Sequence, residues 1–306
     1  MTIPTAEPST NGHHQDTTHA GTAAPRLARL GDLLADWEAF AAAARDAHET
    51  GARRGPVTGL PSLDRELGGV LEPGTHILHG QPGTGKTALA LHIAATCGFP
   101  SLFVTAEMAP LELLRRLTAR ATGTYLGKLK SGELDVRASL ELVRRAVTAA
   151  PHLAIADATT AYASPAWILA AAEQVRGDAP HVLVIIDSVH SWAEGSPGQL
   201  TEYDGLNAGL ANLRTLSSRL GCPVLAVAER NRESMKAGGL SAGAGTRKLE
   251  YGSSTVLDLG REDDAREDGT GEISVTLKLA KNRNGAAGKK ISLKFHGARQ
   301  AFREDR

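Results

Sequence analysis

The residues Gly80-Gln81-Pro82-Gly83-Thr84-Gly85-Lys86-Thr87 have the spacing G-x-x-x-x-G-K-T, which suits a loop that wraps a phosphate. Glycines let successive backbone N–H groups curl around an anion without interference from Cβ atoms. The helix that opens through Ala88 points its N-terminus at the same place and adds its dipole. Lys86 is suited to neutralise β- and γ-phosphate charge, and the Thr87 hydroxyl to ligate Mg²⁺. The stretch therefore predicts a nucleoside triphosphate site whose contacts run from Gly80 to Ala88.

Three carboxylates fall at the ends of apolar, strand-like runs. Asp187 closes His181-Val182-Leu183-Val184-Ile185-Ile186, the most apolar of them. Nucleotides bind in the crevice outside the carboxyl ends of open parallel sheets, so Asp187 is suited to hold Mg²⁺ with Thr87 or through water. Glu107 closes the run after the phosphate-loop helix. It can orient and deprotonate a water for in-line attack, or cap the helix that follows. Glu229 has three uses open: sensing the γ-phosphate through water, pairing with Arg230 or Arg232, or simple solvation. Lys281 and Arg283 share one face of an extended segment. They can reach their own phosphate loop, reach the phosphates of a neighbouring subunit, or form a solvated hairpin tip.

Positioning these groups takes an α/β scaffold. Strand-like runs at 75–78, 100–106, 152–156, 181–186 and 223–228 alternate with helical segments, among them Gly205 to Leu220. The strand-only end, Thr255 to Leu259, Glu272 to Ala280 and Lys290 to Phe295, predicts an antiparallel extension on a mostly parallel central sheet. Residues 1–25 read as a disordered tail. Residues 26–50 read as an amphipathic linker helix with Leu27, Leu30, Leu34, Trp37 and Phe40 near one face. Such a helix can pack on its own domain or reach a neighbouring subunit. Residues 51–306 form the remaining domain.

Lys and Arg number 34, as do Asp and Glu, so nucleic-acid binding needs a local patch or an assembled ring. Cys97 and Cys222 read as reduced core thiols. The sequence has neither an apolar run of membrane-span length nor a signal-peptide core, which predicts a cytoplasmic protein without a membrane partner.

Several of these motifs together resemble the C-terminal RecA-like ATPase domain of the DnaB-type replicative helicases, with a second likeness to RadA- and KaiC-type ATPases. Gly59 to Gly69 is similar to the segment that opens the RadA/KaiC domain, and Gly80 to Thr87 to the Walker A motif. Thr105-Ala106-Glu107-Met108 resembles Ser-Leu-Glu-Met, and Leu129 to Leu134 resembles the stretch that follows it. Ile185-Ile186-Asp187-Ser188 stands at Walker B, and Ala228-Glu229-Arg230-Asn231-Arg232 where the family has Ser-Gln-Leu-Asn-Arg. Leu249-Glu250-Tyr251 with Ser254 to Leu257 resembles another family segment. Ala280-Lys281-Asn282-Arg283-Asn284-Gly285 with Gly288 resembles the one bearing the trans-acting finger.

The likeness covers roughly residues 57–303. It implies a RecA-like P-loop NTPase core using ATP and Mg²⁺, with Glu107 as catalytic base and Lys281 and Arg283 acting across a subunit interface. It also implies self-assembly into a ring, a hexamer in the family, or a filament. The expected function is an ATP-hydrolysing motor on single-stranded DNA, of replicative, plasmid or phage type, working with replication or recombination proteins. The alternative is a RadA/KaiC-like regulatory or scaffold ATPase that does not unwind DNA.

The sequence departs from the family in three places. Glu229 replaces the usual glutamine and changes the charge beside the γ-phosphate. The stretch 191–204, matching the first central-channel loop, carries Glu194, Glu202 and Asp204, a poor electrostatic match to DNA. Lys236, Arg247 and Lys248 in the second loop are the expected DNA contacts. A tail and one helix are expected where the family has a helical N-terminal domain that supports ring assembly and primase contact.

Overall fold

The computed structural model describes residues 27–198, 201–229, 252–261 and 267–305. Nine strands form one sheet: β1 (Gly74–Gly80), β2 (Ser101–Thr105), β3 (Leu153–Asp157), β4 (Leu183–Asp187), β5 (Pro223–Glu229), β6 (Thr255–Arg261), β7 (Glu272–Asn282), β8 (Lys290–His296) and β9 (Ala301–Glu304). Their order is β3-β2-β4-β5-β1-β6-β7-β8-β9. Pairing is parallel from β3 to β6 and antiparallel from β6 to β9, as the strand-only end predicts.

The shorter or outlying helices are α1 (Leu34–Thr50), α2 (Pro61–Glu66) and α5 (Lys128–Ser131). The central strands are apolar on both faces because helices cover both. Alternate residues of β4 and β5 divide between two cores: Leu183, Ile185, Leu225 and Val227 face one, and Val184, Ile186, Val224 and Ala226 the other. The first core is closed by α3 (Lys86–Thr96) and by Leu113 and Leu117 of α4 (Pro110–Thr122), against which α6 (Val136–Ala149) packs. The second is closed by α7 (Pro165–Arg176), α8 (Val189–Glu194) and α9 (Glu202–Leu220). Short polar side chains start these helices by taking otherwise unpaired N–H donors. Asp135 accepts from Ala138 N, Ser164 from Trp167 N and Thr201 from Asp204 N.

Two elements differ from the sequence expectation. Strand β9 adds four residues to the sheet edge, where Phe302 stacks on Phe295 with ring centroids 4.4 Å apart. Helix α9 starts at Glu202 instead of Gly205, because the Thr201 cap extends it by a turn. The N-terminal helix (Leu34–Thr50) has no buried residue, and Leu30, Leu34, Trp37 and Phe40 are 87, 69, 67 and 52% exposed. No helix among the described residues is long and apolar enough to cross a membrane.

Candidate active site

Strand β1 ends at Gly80 and α3 begins at Lys86, so the chain must reverse over Gln81 to Gly85. Gly85 does this at φ 94°, where a Cβ is strained and would also press on the Phe295 and Phe302 rings at 3.0 Å. At Gly80 a Cβ would lie 2.7 Å from Thr84 Oγ1 and 2.8 Å from the Leu259 carbonyl oxygen. The Gln81 carbonyl accepts from Thr84 Oγ1 at 2.8 Å and from Lys86 Nζ at 3.1 Å. The lysine thus lies across its own loop.

The register of the parallel strands brings the carboxylates to the same edge. Gly80 pairs with Glu229, and Thr105 with Asp187. Lys86 Nζ is 3.9 Å from Glu229 Oε1, an ion pair. Arg230 and Arg232 lie outside the described residues. Asp187 is buried, with Thr87 and Lys86 among the groups that favour its ionised form. Burial pushes its carboxyl up to about 6, and nearby Glu107 adds to this against the lowering by Thr87, Lys86 and Arg116. Burial also holds the Lys86 ammonium below its usual range, which Glu229, Asp187 and Glu107 partly offset. Glu107 accepts from Ser191 Oγ of α8 at 3.1 Å. The Asp187–Ser188 peptide between β4 and α8 is cis.

These groups line a cleft of about 300 Å³ that also contains Pro82, Gly83, Gly85 and Ala88. Its donor set fits a magnesium nucleotide. Thr87 and Asp187 offer hard oxygens, and no cluster of three or more His, Cys, Asp or Glu among the described residues forms a self-contained metal cage. Mg²⁺ is commonly held by one or two protein oxygens with phosphate oxygens completing its shell. Backbone N–H donors, one cation and a carboxylate fixed by a hydroxyl can bind a polyphosphate and take a proton from water.

Sequence reasoning missed Arg116, which also lines the cleft. Its Nη1 donates to Gln300 Oε1 at 2.6 Å, and its Nε lies 3.4 Å from Glu112 Oε1. Gln300 in turn donates to the Gly297 carbonyl at 2.6 Å from a left-handed backbone, φ 53°. The helical period of α4 holds the available signal, since Arg116 falls between the buried Leu113 and Leu117 on the inward face. Ser191 had no comparable signal.

Lys281 and Arg283 do not join this cleft. Asn282 pairs with Thr255, and Thr255 with His76, four residues before Gly80 and two strands away. Strand rise and spacing put Asn282 roughly 16 Å from Gly80, beyond the reach of either flanking side chain. Arg283 instead lines a notch with Pro73 and Gly74 at the opposite end of β1, which excludes the route to its own phosphate loop. Lys236, Arg247 and Lys248 lie outside the described residues.

A family model described as DnaB-like helicase C terminal domain matches residues 55–304. The chain belongs to this family. This DnaB-like chain is 24% identical over 262 residues to the replicative DNA helicase DnaB of Treponema pallidum (strain Nichols), covering 81% of its own length and 56% of that protein's. It is 34% identical over 117 residues to the DNA repair protein RadA of Mycobacterium tuberculosis, covering 37% of itself and 23% of RadA. It therefore spans about half the length of that DnaB relative.

Among solved structures, a DnaB-like replicative helicase described with its primase interactions superposes with a TM-score of 0.70 at 21% identity, over 92% of this chain and 68% of that one. A KaiC-like protein of Pyrococcus horikoshii superposes with a TM-score of 0.55 at 20% identity, over 82 and 99%. The DnaB-like fold is thus RecA-like, with its parallel core and antiparallel extension, and it carries the weaker RadA/KaiC likeness expected.

Proposed function

We propose that this chain is an ATP-hydrolysing motor that assembles with itself and acts on single-stranded DNA. The observation that carries the reading is the meeting of Lys86, Thr87, Asp187 and Glu107 in one cleft of a DnaB-like chain. Backbone N–H groups of the phosphate loop hold the β-phosphate, and Lys86 turns from the Gln81 carbonyl to the β- and γ-phosphates. Thr87 and Asp187 hold Mg²⁺, which supplies charge neutralisation on the phosphate oxygens when bound. Glu107, fixed by Ser191, takes the proton of the attacking water. Arg116 adds positive charge from the cleft wall.

The opposite placement of Arg283 supports a role for Lys281 and Arg283 at the nucleotide of an adjacent subunit, in a hexameric ring or a filament. The uncovered apolar face of the helix Leu34–Thr50 supports its use as a linker packed on that neighbour. Lys236, Arg247 and Lys248 contact DNA in this reading, and replication or recombination proteins are its partners. The exposed Glu194 and Asp204 favour a second reading, a regulatory or scaffold ATPase of RadA/KaiC type whose assembly or partner binding is nucleotide-controlled.

Two substitutions separate binding from chemistry. Glu107→Gln is expected to keep ATP affinity within about twofold while turnover falls about 10²- to 10⁴-fold. Lys86→Ala is expected to lose tight ATP binding. Turnover persisting in Glu107→Gln, read by phosphate release beside calorimetric binding, overturns the assignment of the base.

A further inference from the structure

The notch that contains Arg283 holds a second arginine. Arg214 reaches it from the last turns of α9, and the space, about 580 Å³, is lined also by Thr75, Ser217, Ser218 and Ser254. None of its described lining residues is acidic, and neither arginine forms an ion pair with a described residue. Thr75 Oγ1 is buried there without a hydrogen-bond partner, although Thr75 is only 4% exposed. A buried hydroxyl left unpaired costs free energy unless a ligand or water reaches it.

Arg214 is fixed in place. Its Nε donates to the Gly252 carbonyl at 3.2 Å, and a Cβ at Gly252 would collide with its guanidinium. Arg283 is fixed by the same short segment, its backbone N–H donating to the Ser254 carbonyl at 2.9 Å. Ser254 N donates to the Thr75 carbonyl at 2.7 Å, tying both to the start of β1. Two forks of guanidinium donors, with no carboxylate among the described lining residues, form a surface suited to a polyphosphate.

We propose that Arg214 is a second cation acting with Arg283, and that the notch receives the terminal phosphates of the nucleotide bound to an adjacent copy of this chain. Resting on the proposed ATPase reading, the inference extends the partner-facing half of that site from the β7–β8 turn to α9. Arg214 contributes charge and orientation, and no bond forms or breaks at it.

The test is subunit mixing with Mg²⁺-ATP on the full chain. Arg214→Ala alone is expected to lower kcat about tenfold or more while ATP binding at the Lys86 cleft stays intact, and Arg214→Lys to recover part of the loss. Mixed with Lys86→Ala, the Arg214→Ala subunits should regain part of the activity, because in one of the two orientations a mixed interface pairs a whole cleft with a whole notch. A misfolded subunit cannot complement in this way.

Mixing Arg283→Ala with Lys86→Ala tests the underlying reading separately. If that pair complements and Arg214→Ala turns over at the wild-type rate, Arg214 has no part and the inference fails alone. Loss in Arg214→Ala without complementation marks a local structural role and also overturns it. Failure of the Arg283→Ala pair removes the cross-subunit reading and the inference with it.

Discussion

At the residue scale, the charge balance around Lys86 would set both affinity and pH response in the proposed ATPase. Glu229 is half exposed and only 3.9 Å from the ammonium, so it competes with an incoming phosphate and repels it. Solvent weakens both effects. Glu229→Gln is expected to tighten nucleotide binding roughly three- to tenfold, measured by titration with a fluorescent ATP analogue. Unchanged or weaker affinity would show that Glu229 contributes through a water-mediated contact instead.

Asp187 governs the pH response. Its carboxyl is raised from the ordinary 3.8 to about 6, chiefly by burial, so it remains protonated in the free protein where a solvent-exposed aspartate is already ionised. Only the ionised form serves as a metal ligand. The sign is therefore fixed: kcat/KM falls as pH drops through about 6, while the nucleotide-free fold gains stability over the same descent toward 3.8. A kcat/KM profile flat down to pH 5 would contradict this, since that parameter reports the free enzyme.

At the element scale, the phosphate loop rests on the C-terminal extension. Phe295 and Phe302 stack beneath Gly85, and the β8–β9 turn carries the Gln300 amide that holds Arg116. Phe302→Ala is expected to cost about 3–4 kcal/mol in urea denaturation. It should also weaken nucleotide binding, because the loop loses its floor. Loss of stability with unaltered affinity would separate the extension from the site.

The sequence made the scaffold legible because its signals are local. The double-faced apolar run ending at Asp187, the glycine spacing at 80–85 and the strand-helix alternation each follow from neighbouring residues. Strand β9 was not legible, since four residues have no period to read and its pairing depends on β8. The same limit applies to Lys281 and Arg283. Their shared face was visible in sequence, but only the β1–β6–β7 register reveals that they stand at the wrong end for their own loop. Arg116 lay within reach of the α4 period, whereas its bond to Gln300 spans 184 residues and left no trace.

At the scale of the whole molecule, the cleft and the notch occupy opposite ends of β1, so in the proposed assembly one copy would present a nucleotide and the next its arginines. Such a head-to-tail contact builds rings or filaments. The Leu34–Thr50 helix, with its apolar residues uncovered, would offer each copy in that assembly a further hold on the next. Overall charge is balanced, so any DNA contact must come from a local patch or from residues gathered in the assembly rather than from the net charge of one subunit.

The most direct measurement is steady-state ATP hydrolysis with and without single-stranded DNA, at low and moderate salt, with the mass of the assembly determined in parallel. The motor reading predicts about threefold or greater stimulation by DNA, weakening as salt rises, together with a DNA-promoted oligomer of hexamer mass. An oligomer whose turnover ignores DNA at both salts would contradict it and favour the nucleotide-controlled scaffold.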